Sequence, residues 1–143
     1  MSPRFAARDG ELKRIGEKGI TVLGDHSGLE ILLTNLLENA LKYGGNPPRA
    51  LIETETSQSD AIITVSDNGP GIPKAEHDAV FRRFYRSEGR LDDGQTGVGL
   101  GLAICRRIAK LMKGSLSLKS SSHPGYDGAN FQLCLPLDRK TKS

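Results

Sequence analysis

An amphipathic segment over residues 27–43 constrains the fold more than any other part of the chain. Its apolar residues recur at spacings of three and four, which predicts a helix with one buried face. They are Leu29, Leu32, Leu33, Leu36, Leu37, Ala40 and Leu41. Asp25 or Ser27 should cap the start of this helix, and the glycines and prolines of residues 44–48 should end it. Such a helix must cover a second apolar surface.

Strand-forming segments supply that surface. Alternating or β-branched residues predict strands over 20–23, 50–56, 61–66, 115–120 and 130–137. A short helix carrying Val80, Phe81 and Phe84 and a longer one over 99–113 are also expected. This order predicts an α/β two-layer sandwich, in which helices cover one face of a mixed, mostly antiparallel sheet.

Length and composition indicate one folded domain. The chain has 143 residues, of which 36% are hydrophobic and 26% charged. We expect 20–137 to form the domain, 138–143 a C-terminal tail, and 1–19 an N-terminal remnant or linker with a frayed helix. The chain has no run of 18 apolar residues and no signal-peptide pattern, so we expect no direct membrane contact and a cytoplasmic location.

Charge and cysteine content exclude several classes of function. The net charge is only +3 and aromatic residues make up 5%, so we expect no nucleic-acid partner. Cys105 and Cys134 lack metal or redox spacing and are expected to be reduced, buried thiols. An arginine cluster at positions 82, 83, 86 and 90 fits either a solvated helix face or a phosphate contact.

The predicted helix over 27–43 has an unusual polar face. Asn35, Asn39 and Lys42 fall within about 60° of one another, and Glu38 borders them. Asparagine is unfavourable inside helices, so the presence of two asparagines on one face calls for an explanation. The face is either solvated, with a Glu38–Lys42 ion pair, or a site where amide oxygens bind Mg²⁺ and Lys42 binds phosphate. The residues alone leave both readings open.

Two glycine-rich segments are further candidates. Residues 67–71, Asp-Asn-Gly-Pro-Gly, follow a predicted buried strand. They form either an ordinary tight turn or a buried carboxylate that accepts from a base amine, beside backbone that closes on a flat ring. The glycines of residues 97–102 precede a helix, where they form a hinge or free N–H groups for an anion. Neither segment has the Rossmann or Walker A pattern.

Four segments in order resemble the catalytic ATP-binding domain of sensor histidine kinases. They are NLLENALKY (35–43), DNGPGIP (67–73), VFRRFYR (80–86) and GVGLGLAI (97–104), similar to the family's Asn box, first glycine box, Phe box and second glycine box. The ending GANFQLCLPL (128–137) is similar to the last strand, with Gly128-Ala129 where Gly-Thr is usual. The resemblance covers about residues 20–137 and implies the Bergerat fold, shared with gyrase-type, Hsp90-type and MutL-type ATPases.

The resemblance implies the ligands, ATP and Mg²⁺, and a role for each candidate. Asp67 would read the adenine amine, and Tyr43 would pack beside the base. The base pocket would be lined by Gly69, Gly71 and Ile72. Asn39 would hold Mg²⁺. The backbone facing the phosphates would belong to Gly97, Val98, Gly99, Leu100, Gly101 and Leu102. Residues 82–98 would form a lid over the nucleotide.

The catalytic candidates implied by the resemblance are Asn35, Glu38, Lys42 and Arg86. Asn35 and Lys42 would contact the phosphates or their ion, and Arg86 of the lid would reach the γ-phosphate. Glu38 would be a base or hydrogen-bond partner, unless it only pairs with Lys42. Efficient ATPases of the superfamily carry a carboxylate at the position of Asn35, and an amide cannot act as a base.

The implied function is a kinase that phosphorylates a histidine on a separate dimerisation and phosphoacceptor domain, with a response regulator downstream. The parent protein could be anchored in the inner membrane. The alternatives are a stand-alone ATPase, an anti-sigma-type serine kinase, and a degenerate domain that binds a partner without nucleotide. His77-Asp78 mimics a phosphorylated His-acidic pair but lacks its downstream proline, so an exposed helix histidine is expected there. His26 and His123 have no informative context.

Overall fold

A single sheet of five strands organises the chain, in the order β1-β2-β3-β5-β4. The computed structural model describes residues 2–22, 24, 26–82, 101–119 and 123–138. The strands are β1 (Glu11–Gly16), β2 (Arg49–Ser57), β3 (Asp60–Asp67), β4 (Ser115–Leu118) and β5 (Asn130–Pro136). β1 pairs with β2 in parallel, and the other pairings are antiparallel. The predicted mixed, mostly antiparallel sheet is therefore confirmed.

Two helices cover one face of this sheet. They are α2 (His26–Tyr43) and α3 (Gly101–Leu111), preceded by a short α1 (Ser2–Ala6). The leucine stripe of α2 meets the inward side chains of β3 and β5, so that Leu36, Val65 and Leu133 are each at most 2% exposed. Burying such a side chain contributes about 1.5–3 kcal/mol each, which explains why the stripe fixes the helix on the sheet. Among the described helices, none is long and apolar enough to cross a bilayer.

The first 19 residues differ from the predicted frayed helix. Residues 11–16 form β1, and Phe5 of α1 is fully buried in the core. The predicted strand over 20–23 is also wrong, since the described part of it makes only an isolated bridge between Val22 and Leu137. β1 is an edge strand held by backbone bonds with mostly exposed side chains, so it lacks the alternating pattern that identifies strands. The limits 20–137 for the ATP-binding domain stay a prediction, although folded residues precede them.

Two 3-10 turns, Lys74–Glu76 and Ala79–Phe81, replace the predicted short helix. The expected apolar side is still buried: Phe81 packs edge-on against Phe131, with ring centroids 6.1 Å apart. The guanidinium of Arg106 in α3 lies 4.3 Å from the centroid of the Phe81 ring. These turns therefore join α3 to the sheet. Phe84 lies outside the described residues.

Cys105 links the two covering helices. Its Sγ donates to the Leu32 carbonyl at 3.5 Å, and burial raises the pKa of this thiol to about 12. Cys134, by contrast, is only half-buried, which corrects the expectation of two buried thiols.

We predict that Cys105 resists alkylation in the folded chain. Only the thiolate is nucleophilic, so at about pH 8 the buried thiol should react with iodoacetamide only after denaturation. Peptide mass spectrometry can follow both cysteines in one sample, with Cys134 as the internal comparison. Labelling of Cys105 in native buffer at the rate found in denaturant would contradict this prediction.

Candidate functional site

Asp67 ends β3 and is the most buried acidic side chain described, at 5% exposure. Its Oδ1 accepts hydrogen bonds from the backbone N–H groups of Gly69, at 2.9 Å, and Ala129, at 3.0 Å. Desolvation raises the pKa of this carboxyl, and the two backbone donors partly oppose that rise. Its other oxygen, Oδ2, accepts no hydrogen bond from the described residues. The arrangement fixes the carboxyl and leaves Oδ2 available for a ligand.

Gly128, two residues before β5, lies against the same carboxyl. A Cβ added at this position would lie 2.0 Å from Asp67 Oδ1 and 2.6 Å from the Gly69 nitrogen. The backbones are bonded as well, since the Gly128 N–H donates to the Asp67 carbonyl at 2.8 Å. Because Ala129 contributes its backbone N–H, the exchange of the usual Gly-Thr for Gly128-Ala129 leaves this contact intact.

We predict that Gly128→Ala destabilises the chain. The new methyl group must push Asp67 or the Gly69 turn aside, and such overpacking costs about 1–3 kcal/mol. Gly101→Ala is the matched control, because among the described residues its Cβ would approach nothing closer than the Asn35 side chain, at 3.4 Å, in a helix that favours alanine. Chemical denaturation measures both variants. Equal unfolding free energies for Gly128→Ala and the unmodified chain would refute the crowding argument.

The turn after Asp67 meets the end of α2. A Cβ at Gly69 would lie 2.2 Å from the Tyr43 carbonyl oxygen, and Gly71 has a φ of +81°. Both positions therefore need glycine. Ile72 follows and packs on the core, while the Tyr43 side chain is 38% exposed. The structure thus brings together the residues expected to line the base pocket.

Asn68 lies next to Asp67 and is not among the predicted site residues. Its side chain bonds to three backbone groups of the loop between α2 and β2, at Gly45, Pro47 and Arg49. The signal was weak, because asparagine before glycine is ordinary turn composition.

The polar face of α2 lies beside the start of α3. Asn35 Nδ2 donates to the Ile31 carbonyl at 3.0 Å, and Oδ1 lies 3.4 Å from where a Cβ at Gly101 would be. Asn39 is half-buried, and its amide makes no hydrogen bond with the described residues. Lys42 is exposed, with Nζ 5.3 Å from the centroid of the Tyr43 ring. The two amides and the ammonium group therefore share one side of α2.

Glu38 does not form the ion pair with Lys42 that its spacing on the helix suggested. It pairs with Arg4 of α1 at 3.0 Å rather than with Lys42, and both side chains are about half exposed. Such an exposed pair contributes little to stability, about 0–1 kcal/mol. Its carboxylate is thus engaged at the surface, on the side where α1 meets α2.

Several candidates lie outside the described residues: Arg86, Gly97, Val98, Gly99 and Leu100. Gly101 is the first residue of α3, and Leu102 packs against the core.

His77 and His123 both make contacts in the described part of the chain. His77 is half-buried and its Nε2 hydrogen-bonds the Ile72 carbonyl at 3.0 Å, so the expected exposed helix histidine is wrong. His123, for which the sequence offered no context, pairs with Glu53 at 2.7 Å. The turn around Ile72 is therefore buttressed by His77.

Comparison with known proteins agrees with this geometry. Residues 24–139 match the histidine kinase-, DNA gyrase B- and HSP90-like ATPase family. The chain is 35% identical over 136 residues to the signal transduction histidine-protein kinase BaeS of Escherichia coli (strain K12). This alignment covers 95% of the chain and 28% of BaeS. It therefore spans little more than a quarter of that relative.

Solved structures give the same result. A mycobacterial sensor histidine kinase MprB aligns with a TM-score of 0.76 and 30% identity, over 92% of this chain and 85% of that one. Full-length ShkA in complex with AMPPNP aligns with a TM-score of 0.79 and 27% identity, over 96% of this chain and 27% of ShkA.

The chain belongs to the histidine kinase-, DNA gyrase B- and HSP90-like ATPase family. Within that family it matches sensor histidine kinases, which confirms the resemblance found in the sequence and the Bergerat fold that it implied.

Proposed function

We propose that the chain binds ATP with Mg²⁺ and transfers the γ-phosphate to a histidine on a separate phosphoacceptor domain. The observation that carries this proposal is the buried, backbone-anchored carboxyl of Asp67 at the end of β3. The ShkA relative was solved with AMPPNP, an ATP analogue, which supports a nucleotide site in this fold.

Asp67 accounts for the choice of base. Two backbone donors occupy Oδ1, so Oδ2 is the atom that accepts from a ligand. Adenine presents an exocyclic amine, which donates to a carboxylate, whereas guanine presents a carbonyl oxygen, which repels it. The exposed ring of Tyr43 lies next to the same turn and packs on the face of the base.

The residues of α2 suit a magnesium nucleotide. Mg²⁺ prefers oxygen ligands and usually takes only one or two from the protein, the rest coming from phosphates and water. The described residues contain no cluster of three or more acidic, histidine or cysteine side chains, and the unbonded amide of Asn39 offers one oxygen. Bound there, Mg²⁺ would neutralise charge on the phosphates. Lys42 and the amide of Asn35 would contact the same groups.

These groups favour transfer over hydrolysis. Phosphoryl transfer depends mainly on positioning and charge stabilisation, which amides and an ammonium group supply. Asn35 cannot remove a proton from water, and Glu38 is paired with Arg4. A neutral imidazole would attack the γ-phosphate through its unprotonated nitrogen while ADP leaves, and it needs little help from a base, because the proton on its other nitrogen can be lost after transfer. We therefore favour a histidine kinase over an ATPase, with Arg86 completing the phosphate contacts.

The biological setting follows from the same proposal. The chain would act in the cytoplasm as part of a parent protein that could be anchored in the inner membrane, and a response regulator would receive the phosphate. No nucleic acid is required.

A mixing experiment tests the proposed function. The chain is incubated with ATP labelled on the γ-phosphate, alone and with a separately produced phosphoacceptor domain of the parent kinase. We expect no label on the chain and acid-labile, alkali-stable label on the added domain. Acid-stable label would favour serine transfer, and rapid phosphate release without a partner would favour an ATPase. Either result would refute the histidine assignment.

A further inference from the structure

The side chain of Asn68 bonds across the gap between β3 and the loop that follows α2. Its Oδ1 accepts from the backbone N–H groups of Gly45 and Arg49, each at 2.8 Å, and its Nδ2 donates to the Pro47 carbonyl at 3.0 Å. The Asn68 backbone N–H also donates to the Arg49 carbonyl at 3.1 Å. One residue thus ties four backbone groups of residues 45–49 to the turn after β3.

This loop separates the two sides of the base pocket. Tyr43 stands at the end of α2, immediately before the loop, and Asp67 precedes Asn68 on β3. The contact is close, because the alpha carbon of Gly44 lies 3.0 Å from where a Cβ at Gly69 would be. The bonds of Asn68 to this loop therefore help to set the spacing between Tyr43 and the Asp67 carboxyl.

We propose that Asn68 is a positioning residue for base recognition, which holds the end of α2 and the Asp67 turn as one rigid frame. This inference rests on the proposed nucleotide function. Asn68 does not itself need to touch the base. An amide suits the task because one side chain must accept from two N–H groups and donate to a carbonyl, which aspartate cannot do.

A hydrogen bond tolerates less misalignment than a stacking contact does. Loss of the frame should therefore weaken the hydrogen bond from the base to Asp67 more than the packing of the base on Tyr43. The readout is consequently the ratio of ATP to GTP affinity and not affinity alone. A purely structural role would lower the folded fraction and weaken both nucleotides in the same proportion.

Three variants change the frame in different ways. Asn68→Ala removes all three side-chain bonds, and Asn68→Asp keeps the acceptor but loses the donation to Pro47. Gly45→Ala leaves residue 68 unchanged, but its Cβ would lie 2.7 Å from Asn68 Nδ2 and 2.9 Å from the Asn68 carbonyl oxygen. It should therefore displace the amide.

The control is Gly16→Ala at the end of β1, where Gly16 pairs with Thr54 of β2. Gly16 has a φ of +106°, and a Cβ there would lie 2.1 Å from the Thr54 carbonyl oxygen. This substitution should destabilise the sheet edge without reaching the base pocket. This variant shows how a loss of stability that does not involve Asn68 affects the binding of the two nucleotides.

Calorimetric titration of each folded variant with ATP and GTP tests the proposal, with circular dichroism to measure the folded fraction. For Asn68→Ala and Gly45→Ala we expect ATP affinity to fall about ten-fold, GTP affinity to fall less, and the ratio to collapse. Asn68→Asp sets a carboxylate oxygen against the Pro47 carbonyl, so it should lose part of the ratio, whereas Gly16→Ala should keep all of it. If Asn68→Ala does not fold, the ATP to GTP ratios of Gly45→Ala and Asn68→Asp test the proposal in its place.

The proposal is overturned if the ATP to GTP ratio survives in Asn68→Ala and Gly45→Ala, or if Gly16→Ala loses it equally. Failure of the proposed function is distinguishable, because it appears in the unmodified chain as an absence of ATP binding.

Discussion

Asp67→Asn is expected to weaken ATP binding at least about ten-fold and to improve GTP binding, so that the preference for adenine disappears. The asparagine oxygen can replace Oδ1 and keep the bonds from Gly69 and Ala129. Its NH₂ group then stands where Oδ2 was and meets the adenine amine donor to donor. The same NH₂ group donates to the guanine carbonyl.

The same variant should be at least as stable as the unmodified chain near neutral pH. Burial raises the pKa of Asp67 above its ordinary value of 3.8, so the folded chain binds the proton more tightly than the unfolded chain. Stability from this group is complete below the unfolded pKa and is lost as pH rises through the folded pKa. Asparagine carries no charge at any pH and avoids this loss.

Two measurements check the Asp67→Asn prediction together. Calorimetry with ATP and GTP gives the change of base preference. Thermal denaturation across a pH series should give a stability advantage for Asp67→Asn at neutral pH that vanishes in acid, where Asp67 is also uncharged. Unchanged ATP preference, or an advantage that grows as the pH falls, would show that the carboxyl does not play the role assigned to it.

The parts of the fold predicted from sequence are those with a regular pattern. The stripe of α2 and the apolar strands β3 and β5 can be predicted because apolar residues recur along the chain at the spacing of one buried face. β1 does not, since an edge strand is specified by backbone pairing with β2 and most of its side chains face solvent. Phe5 is likewise buried by a short helix whose place depends on the completed sheet.

The candidate site shows the same division. The asparagines of α2 stand out because amides are unfavourable within a helix, whereas Asp67 lies in ordinary turn composition and is identified by the family resemblance. Asn68 breaks no local rule, so only the folded contact with residues 45–49 reveals it. The pairing of Glu38 with Arg4 joins residues 34 positions apart and has no local signal either.

Asn39→Ala should abolish phosphotransfer without destabilising the fold. Alanine is the better helix former by several tenths of a kcal/mol, and Asn39 makes no side-chain hydrogen bond with the described residues that would be lost. Without the amide oxygen, the chain should lose the Mg²⁺ dependence of ATP binding. Transfer to the phosphoacceptor domain should fall by about a hundred-fold or more, the typical effect of removing one group that stabilises transition-state charge.

Asn39→Asp and Thr34→Ala are the comparisons that give this experiment its meaning. Aspartate restores an oxygen ligand and should recover Mg²⁺-dependent binding, whereas exposed Thr34 lies about 140° away around α2 and should be dispensable. Calorimetry with and without Mg²⁺, labelling of the added domain and thermal denaturation are measured on all three variants. Full transfer by Asn39→Ala would remove Asn39 from the site. A large fall in the melting temperature of Asn39→Ala would indicate that the amide has a structural role. A stable but inactive Asn39→Ala would indicate that this amide is present for ligand binding, at a small cost to the helix that carries it.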